Sequence, residues 1–218
     1  MKLESDGILI GLRPLGERDV VAKIFTRDYG VVCGVVRAGL ITKNNKPLVG
    51  QFGHAVWVAR LDSQLGTFHW DINSNILVRI IDKPDSLMLM NSAFSLIDIL
   101  IPEREEYEKL YDDTMNLLRV LGTENEKSTY LSWEIALLSH LGYAMDLSHC
   151  SGCGGTDNLH YVSPRTSRAV CEKCAQPYLD KLYRLPVDLN TTLRFLENIC
   201  LQQGTNLPYF RRCVKNVV

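Results

Sequence analysis

Residues 6–39 read DGILIGLRPLGERDVVAKIFTRDYGVVCGVVRAG and set the pattern of the N-terminal part of the chain. Three runs in this stretch are rich in Val, Ile and Leu. The turn signals Gly16-Glu17 and Asp28-Tyr29-Gly30 separate these runs. Short runs of β-branched residues between turn residues are typical of strands. The stretch therefore predicts three consecutive β-strands with no helix between them.

Two further runs of the same kind follow, HAVWVARL at 54–61 and GTFHWDI at 66–72. Polar turn signals at 42–47 and 62–64 precede them. Five short strands without an intervening helix favour a small closed barrel. SH3-like and OB-type barrels both have this strand count, so the count alone leaves both open.

The pattern changes after Lys83-Pro84, where apolar residues begin to recur at helical spacing. The predicted helices fall within 86–102, 105–122, 128–143, 188–204 and 208–218. Asp188 or Asn190 is a suitable cap for the fourth of these helices. The expected fold class is α+β, with a barrel domain in 1–80 and an all-α domain in 81–218. A cysteine-rich segment at 148–176 is inserted into the second domain.

Four of the seven cysteines form two Cys-x-x-Cys pairs, Cys150 with Cys153 and Cys171 with Cys174. The spacing of the two pairs is typical of four-thiolate zinc sites. Glycines around the first pair allow the tight turn that directs both sulfurs to one point. A redox dithiol and unrelated buried thiols are the alternatives.

The cysteine set favours a structural rather than a catalytic metal. Four thiolates fill every position of a tetrahedral Zn²⁺, whereas a catalytic zinc keeps one position for water. We therefore expect a structural Zn²⁺ that folds a segment too small to fold alone. The other cysteines, Cys33, Cys200 and Cys213, lie in apolar contexts that are typical of core positions.

The motifs of the common enzyme classes do not occur in the sequence. It has no Walker-type loop, no dinucleotide-binding glycine motif, no G-x-S-x-G elbow and no H-E-x-x-H. We therefore expect that the protein is not an enzyme. A membrane-length apolar run and a secretory signal are also missing, so the expected location is the cytoplasm, where thiols stay reduced.

Basic residues are concentrated in the N-terminal part. Residues 1–60 contain nine Lys or Arg against five Asp or Glu, although the net charge of the whole chain is −1. This asymmetry favours a polyanionic partner, and two ordinary solvated surfaces are the alternative. The cations that suit a phosphate backbone are Arg13, Arg18, Lys23, Arg27, Arg37, Lys43 and Lys46. The rings that suit base stacking are Phe25, Tyr29, Trp57, Phe68 and Trp70.

Residues 7–39, with a G-E-x-D turn and an F-T-R-x-x-G strand end, resemble the opening of the bacterial recombination-mediator family RecO. ARLDSQLGTF at 59–68 and YVSPRTSRAVC at 161–171 resemble further segments of that family. The resemblance implies an OB-type barrel, a helical body and a zinc segment. It also implies binding and annealing of single- and double-stranded DNA. The implied partners are RecR, in some pathways RecF, and the acidic C-terminal tail of single-strand-binding protein, with the RecA recombinase loaded onto the coated strand.

The resemblance also implies site residues. Arg18 and Arg27 match the family's first turn and its F-T-R segment, with ion pairs to Asp19 or Asp28 as the alternative. The expected DNA-binding residues are Arg18, Arg27, Arg37, Lys43 and Lys46. The expected rim of a pocket for the protein tail lies among Arg119, Arg184, Arg194, Arg211 and Arg212. The loop after the third strand is less basic than in many members, which keeps open a zinc-stabilised interaction scaffold with little DNA affinity.

Overall fold

A computed structural model describes residues 1–37, 46–61 and 64–214. The strands are β1 (Lys2–Leu15), β2 (Asp19–Thr26), β3 (Gly30–Val36), β4 (Gln51–Val58), β5 (Gly66–Asn75), β6 (Leu159–Val162), β7 (Ala169–Cys171) and β8 (Tyr183–Arg184). The helices are α1 (Leu77–Ile80), α2 (Pro84–Leu100), α3 (Glu108–Val120), α4 (Glu126–Leu138), α5 (Glu172–Ala175), α6 (Leu189–Gln202) and α7 (Tyr209–Cys213).

The first five strands form a closed barrel in the order β1-β2-β3-β5-β4, and β1 also pairs with β4. Every pairing is antiparallel except that of β3 with β5, where Gly34 faces Gly66 and Val35 faces Thr67. A five-stranded Greek-key barrel of this kind is OB-like. The expected fold class, a barrel followed by a helical region with a four-cysteine cluster, is confirmed.

The aromatic rings of the barrel fill its interior. Trp57 and Phe68 are 1% exposed and Trp70 is 4% exposed, within a core that also contains Leu9 and Ile24. The indole N–H of Trp57 donates to the backbone carbonyl of Cys33 at 2.9 Å, so its one polar group has a partner inside the protein. These rings are therefore not available as base-stacking platforms.

Helices α2 and α3 contact the outer side of β2. Phe25 on β2 is fully buried, and its ring packs edge-to-face on Tyr111 of α3 with centroids 5.6 Å apart. Lys23 forms an ion pair with Asp98 of α2. OB domains commonly bind nucleic acid through this face and through the loops between β1 and β2 and between β4 and β5. In this chain α2 and α3 contact that face at β2.

The segment after α2 lies along the edge of β3. The backbone N–H of Arg104 donates to the carbonyl of Val31 at 2.9 Å, and the Arg104 guanidinium lies 4.5 Å from the ring centroid of Trp57. Gly30 has a φ of 62°, and a Cβ there would lie 1.8 Å from the carbonyl oxygen of Glu105. Only glycine allows the segment to approach this closely.

The chain divides into two compact units. The first comprises Met1–Glu126 together with the segment that begins at Pro208, and α7 packs against α2 within it. The second comprises Lys127–Leu207. Its helix α6 begins as the sequence predicted, because the Asp188 carboxylate accepts from the backbone N–H of Thr191 at 2.7 Å. The domain boundary at residue 80 stays a prediction.

A fully buried carboxylate lies in the second unit. Glu134 of α4 accepts from the hydroxyl of Tyr130 at 2.8 Å and from the hydroxyl of Thr192 at 2.6 Å. Two hydroxyl donors compensate part of the desolvation that burial imposes on this group. Among the described residues, no helix has both the length and the apolar character needed to span a bilayer.

Candidate functional site

The four cysteines of the two Cys-x-x-Cys pairs form one cluster in the second unit. Their sulfur atoms all lie within 4.8 Å of one another, and the Sγ atoms of Cys153 and Cys171 are 3.8 Å apart. A tetrahedron of thiolates at about 2.3 Å from zinc has S–S edges of about 3.8 Å. Among the described residues this is the only cluster of candidate metal ligands of this kind.

Two tight backbone turns bring the sulfurs together. Around the first pair, the N–H of Gly154 donates to the carbonyl of Cys150 at 2.8 Å, and Gly154 has a φ of 76°. A Cβ on Gly152 would lie 3.1 Å from the Sγ atom of Cys174. The second pair begins at Cys171, the last residue of β7, and ends on the short helix α5.

The protonation of the cluster is set by its hydrogen bonds. The backbone N–H of Cys171 donates to the Sγ atom of Cys150 at 3.3 Å. This bond, followed by those from the backbone N–H groups of Cys153 and Gly152, lowers the pKa of the Cys150 thiol to about 6. The Cys174 thiol donates to Cys171 and Cys153, which raises its pKa to about 12. Like charges this close disfavour full ionisation of all four groups. A divalent cation at the centre removes that conflict, so the donor set fits a bound metal.

Three exposed arginines of the barrel lie at one end. The pairing of Val20 with Val36 places the β1–β2 loop beside the end of β3. The exposed arginines at this end are Arg13, Arg18 and Arg37. Two of the predicted DNA-binding residues, Arg18 and Arg37, therefore share one end of the barrel.

The ionic surroundings of these arginines differ. Arg37 lies 3.6 Å from the carboxylate of Asp19. Arg18 makes no ion pair within the described part of the chain, so the predicted alternative of a pair with Asp19 is not what the structure shows for it. Arg60 is exposed and follows β4, whose last residue Val58 pairs with Lys2 at the start of β1, away from the β1–β2 loop.

The structure describes two more of the predicted DNA-binding residues, Arg27 and Lys46. Arg27 follows β2 at the other end of the barrel, 2.9 Å from Glu108 and 3.6 Å from Asp112. Lys46 is exposed and precedes β4, whose residue Phe52 pairs with Ile8 in the middle of β1. Lys43 is outside the described residues.

The outer side of β1, β4 and β5 is acidic and rich in histidine. His54 on β4 lies between Asp6 and Asp71 in the strand register, with its Nδ1 atom 2.9 Å from Asp6 and its Nε2 atom 3.3 Å from Glu4. The hydrogen bond to Asp6, followed by the one to Glu4, raises the pKa of His54. His69 on β5 pairs with Asp71 at 3.3 Å. Carboxylates on this side repel phosphates, which leaves the loop end as the cationic surface of the barrel.

The five predicted rim arginines do not form one group. Arg184 and Arg194 belong to the second unit, where Arg194 lies 5.3 Å from the ring centroid of Tyr183. Arg119 and Arg212 are exposed residues of the first unit. Arg211 is fully buried, so its guanidinium does not lie on the surface, where a residue on a pocket rim would lie.

Two protein families of known sequence pattern match the chain. The model "Recombination protein O N terminal" matches residues 1–71, and "Recombination protein O C terminal" matches residues 82–209. The chain belongs to the RecO family. The barrel falls in the first match, and the four-cysteine cluster falls in the second.

Curated RecO relatives match most of the chain. "DNA repair protein RecO" of Rhodospirillum centenum is 38% identical over 189 residues, which cover 85% of this chain and 76% of that protein. The protein of the same name from Jannaschia is 35% identical over 200 residues, 91% of this chain and 82% of that protein. The relative from Bartonella bacilliformis is 36% identical over 191 residues. The family resemblance seen in the sequence is confirmed.

Proposed function

We propose that this RecO-family chain is a mediator of DNA repair and homologous recombination that binds and anneals DNA strands. With RecR, it would help to load RecA onto single strands coated by single-strand-binding protein. Its action is charge neutralisation and holding of strands, with no bond made or broken. The observation behind the proposal is that exposed Arg18 and Arg37 lie together at one end of the barrel. Helices contact the outer side of β2, and the outer side of β1, β4 and β5 is acidic. This loop end is therefore the cationic part of the barrel surface.

The physical basis is electrostatic. Two complementary strands repel one another through their phosphates, and guanidinium groups that bind both backbones lower that repulsion. Because the rings of Trp57, Phe68 and Trp70 are buried, base stacking on the barrel contributes little. The proposal therefore expects little sequence preference and a steep loss of affinity as salt concentration rises.

Binding of a single-stranded oligonucleotide across a salt series tests this surface. An Arg18→Ala/Arg37→Ala variant is expected to lower the slope of log affinity against log salt by about 1.4, because each single-strand phosphate contact contributes about 0.7. A Lys2→Ala/Arg27→Ala variant removes the same charge from residues paired with Glu4 and Glu108 and serves as the control. Equal slopes for the two variants would count against the loop end as the DNA surface.

We further propose that the four-cysteine cluster holds a structural Zn²⁺ through Cys150, Cys153, Cys171 and Cys174. The ion would supply no catalytic chemistry, because four sulfurs leave no position for water. Its effect is to fix the two turns and the β6–β7 hairpin between them. A sulfur-only first shell in X-ray absorption supports this site, and a nitrogen, oxygen or water ligand contradicts it.

For the tail of single-strand-binding protein, one of the predicted rim residues has suitable surroundings. Arg212 is exposed beside Tyr209 and Phe210, whose rings are 66% and 38% exposed and 5.8 Å apart. An acidic and apolar peptide end matches a cation next to exposed rings. Arg212→Ala is expected to weaken binding of a tail peptide at least fivefold, whereas Arg119→Ala leaves it unchanged. Equal loss in both variants would argue against this location.

A second function, the interaction scaffold with little DNA affinity, has one observation in its favour. Lys23 and Arg27 are paired with carboxylates on α2 and α3, so two of the barrel's cations stabilise the first unit instead of facing solvent alone. Failure of the intact protein to anneal complementary oligonucleotides at low salt, together with retained binding of RecR, would favour the scaffold.

A further inference from the structure

The turn of the β6–β7 hairpin carries two arginines that the DNA-binding surface on the barrel does not include. The turn runs from Ser163 to Arg168 and joins the two strands that lie between the cysteine pairs. Arg165 and Arg168 are both exposed. Both belong to the second unit, whereas the barrel belongs to the first.

Backbone hydrogen bonds hold this turn in a single shape. The N–H of Ser167 donates to the carbonyl of Ser163, and the N–H of Ser163 donates to the carbonyl of Arg168, both at 2.9 Å. Ser167 is 5% exposed and has a φ of 53°, so its side chain is turned inward while its two neighbours point to solvent. A turn fixed in this way loses little backbone entropy when a ligand binds.

The segment before the first cysteine pair braces the turn from outside. The N–H of Asp146 donates to the carbonyl of Ser167, and the N–H of Ala169 donates to the carbonyl of Asp146, both at 2.9 Å. The Asp146 side chain is occupied locally, because it accepts from the hydroxyl of Ser148 at 2.6 Å. Neither arginine of the turn makes an ion pair within the chain as described, although the Arg168 charge contributes to a lowered pKa at Asp146.

Charge differs between the two ends of the hairpin. At the far end, Leu159 pairs with Cys171, and the exposed Glu172 lies 3.7 Å from His160. This end carries the thiolate cluster and Glu172, with Lys173 as an exposed cation between the second pair of cysteines. At the turn, about 10 Å away along the strand by the rise of three residues, the exposed charges are guanidinium groups. A polyanion therefore meets the hairpin at its turn.

We propose that the Ser163–Arg168 turn is a second phosphate-binding element, in which Arg165 and Arg168 contact the backbone of a nucleic-acid strand. Guanidinium groups bind phosphate oxygens through two parallel hydrogen bonds, and a rigid turn holds the two groups ready for adjacent phosphates. The inference rests on the proposed DNA-annealing function. It adds that the unit with the cysteine cluster contacts DNA directly as well as stabilising the fold.

The test measures single-strand affinity across a salt series with the full chain. Arg165→Gln/Arg168→Gln is expected to lower the salt slope by about 1.4, the value for two lost single-strand phosphate contacts. Lys127→Gln/Lys173→Gln removes two exposed positive charges from the same unit, away from the turn, and is expected to leave the slope unchanged. Arg165→Lys/Arg168→Lys keeps the charge and is expected to restore the slope with lower affinity than the wild type.

Metal content and circular dichroism of each variant show whether the hairpin stays folded. A wild-type slope in the glutamine variant, with normal metal content, would overturn the proposed role of the turn while leaving the barrel surface intact. An equal loss of slope in Arg165→Gln/Arg168→Gln and in Lys127→Gln/Lys173→Gln would also overturn it, since the effect would then be one of overall charge. A wild-type chain that binds no DNA would overturn the annealing function itself.

Discussion

The guanidinium of Arg27 lies 2.9 Å from the carboxylate of Glu108, although 81 positions separate the two residues in the chain. Asp112, one helical turn further along α3, lies 3.6 Å from the same guanidinium. A residue that the sequence places in the DNA-binding set is thereby part of an intramolecular ion-pair network. Both partners are exposed, so this network contributes little stability, at most about 1 kcal/mol for each pair.

We predict that Arg27→Ala changes DNA binding less than Arg18→Ala does. Arg27 already has two carboxylates beside it, whereas Arg18 makes no ion pair among the described residues. In a salt series with single-stranded DNA, Arg18→Ala is expected to lower the slope by about 0.7 and Arg27→Ala by clearly less. A larger change for Arg27→Ala would mean that DNA displaces Glu108 from the guanidinium.

Replacement of one cysteine of the cluster should release the metal. Cys150→Ser is expected to reduce zinc content from about one ion per chain to near none and to lower the thermal midpoint, because the two turns lose their common centre. Cys213→Ser, which removes a cysteine outside the cluster, is the control and should keep its metal. A metal-free Cys150→Ser chain with unchanged thermal unfolding would refute the structural role.

Because the backbone of Glu105 lies so close to Gly30, we predict that replacement of Gly30 lowers the free energy of unfolding strongly. In Gly30→Ala the new Cβ meets a backbone carbonyl at 1.8 Å and also forces a side chain into the left-handed region, at a total cost of about 2–5 kcal/mol. Gly16→Ala is the matched control, since Gly16 has a φ of 64° but a Cβ there has no atom within 4 Å. It should cost only about 1–2 kcal/mol.

Urea unfolding of both glycine variants measures this difference. Similar loss of stability in Gly30→Ala and Gly16→Ala would mean that the segment after α2 moves away from β3 at little cost. The close contact would then not contribute to the stability of the first unit.

His54 predicts a pH-dependent contribution to stability. Its pKa is raised by Asp6 and then by Glu4, and Asp71 faces it from β5. Because the pKa of His54 is higher in the folded chain than in the unfolded chain, protonation of its ring stabilises the fold. This stabilisation is complete below the unfolded pKa of about 6.5 and is lost as pH rises through the folded pKa. The difference in unfolding free energy between the wild type and His54→Gln should therefore be largest near pH 6 and vanish at clearly alkaline pH.

Nuclear magnetic resonance titration of the His54 ring provides an independent measurement. The midpoint is expected above about 6.5, the ordinary histidine value. A midpoint at or below that value would show that Asp6 and Glu4 do not stabilise the imidazolium, and the predicted pH dependence would not follow.

The local patterns of the sequence were sufficient for the five barrel strands, for α2, α3, α4, α6 and α7, and for the membership of the cysteine cluster. Strand and helix periodicity depends on neighbours within a few positions, and a Cys-x-x-Cys pair is itself a local turn. The cap of α6 by Asp188 is equally local, because the accepting carboxylate and the donating amide are three residues apart. These features were therefore open to prediction from the chain alone.

The exposure and pairing of single side chains were settled by tertiary structure. Alternation along β4 left the orientation of Trp57 open, and only barrel closure places its ring inside, 1% exposed. Arg27 has a carboxylate beside it because α3 packs near the end of β2, and Arg211 is buried in α7, which packs against α2. Such contacts join positions far apart in the chain, so their energies carry no local sequence signature.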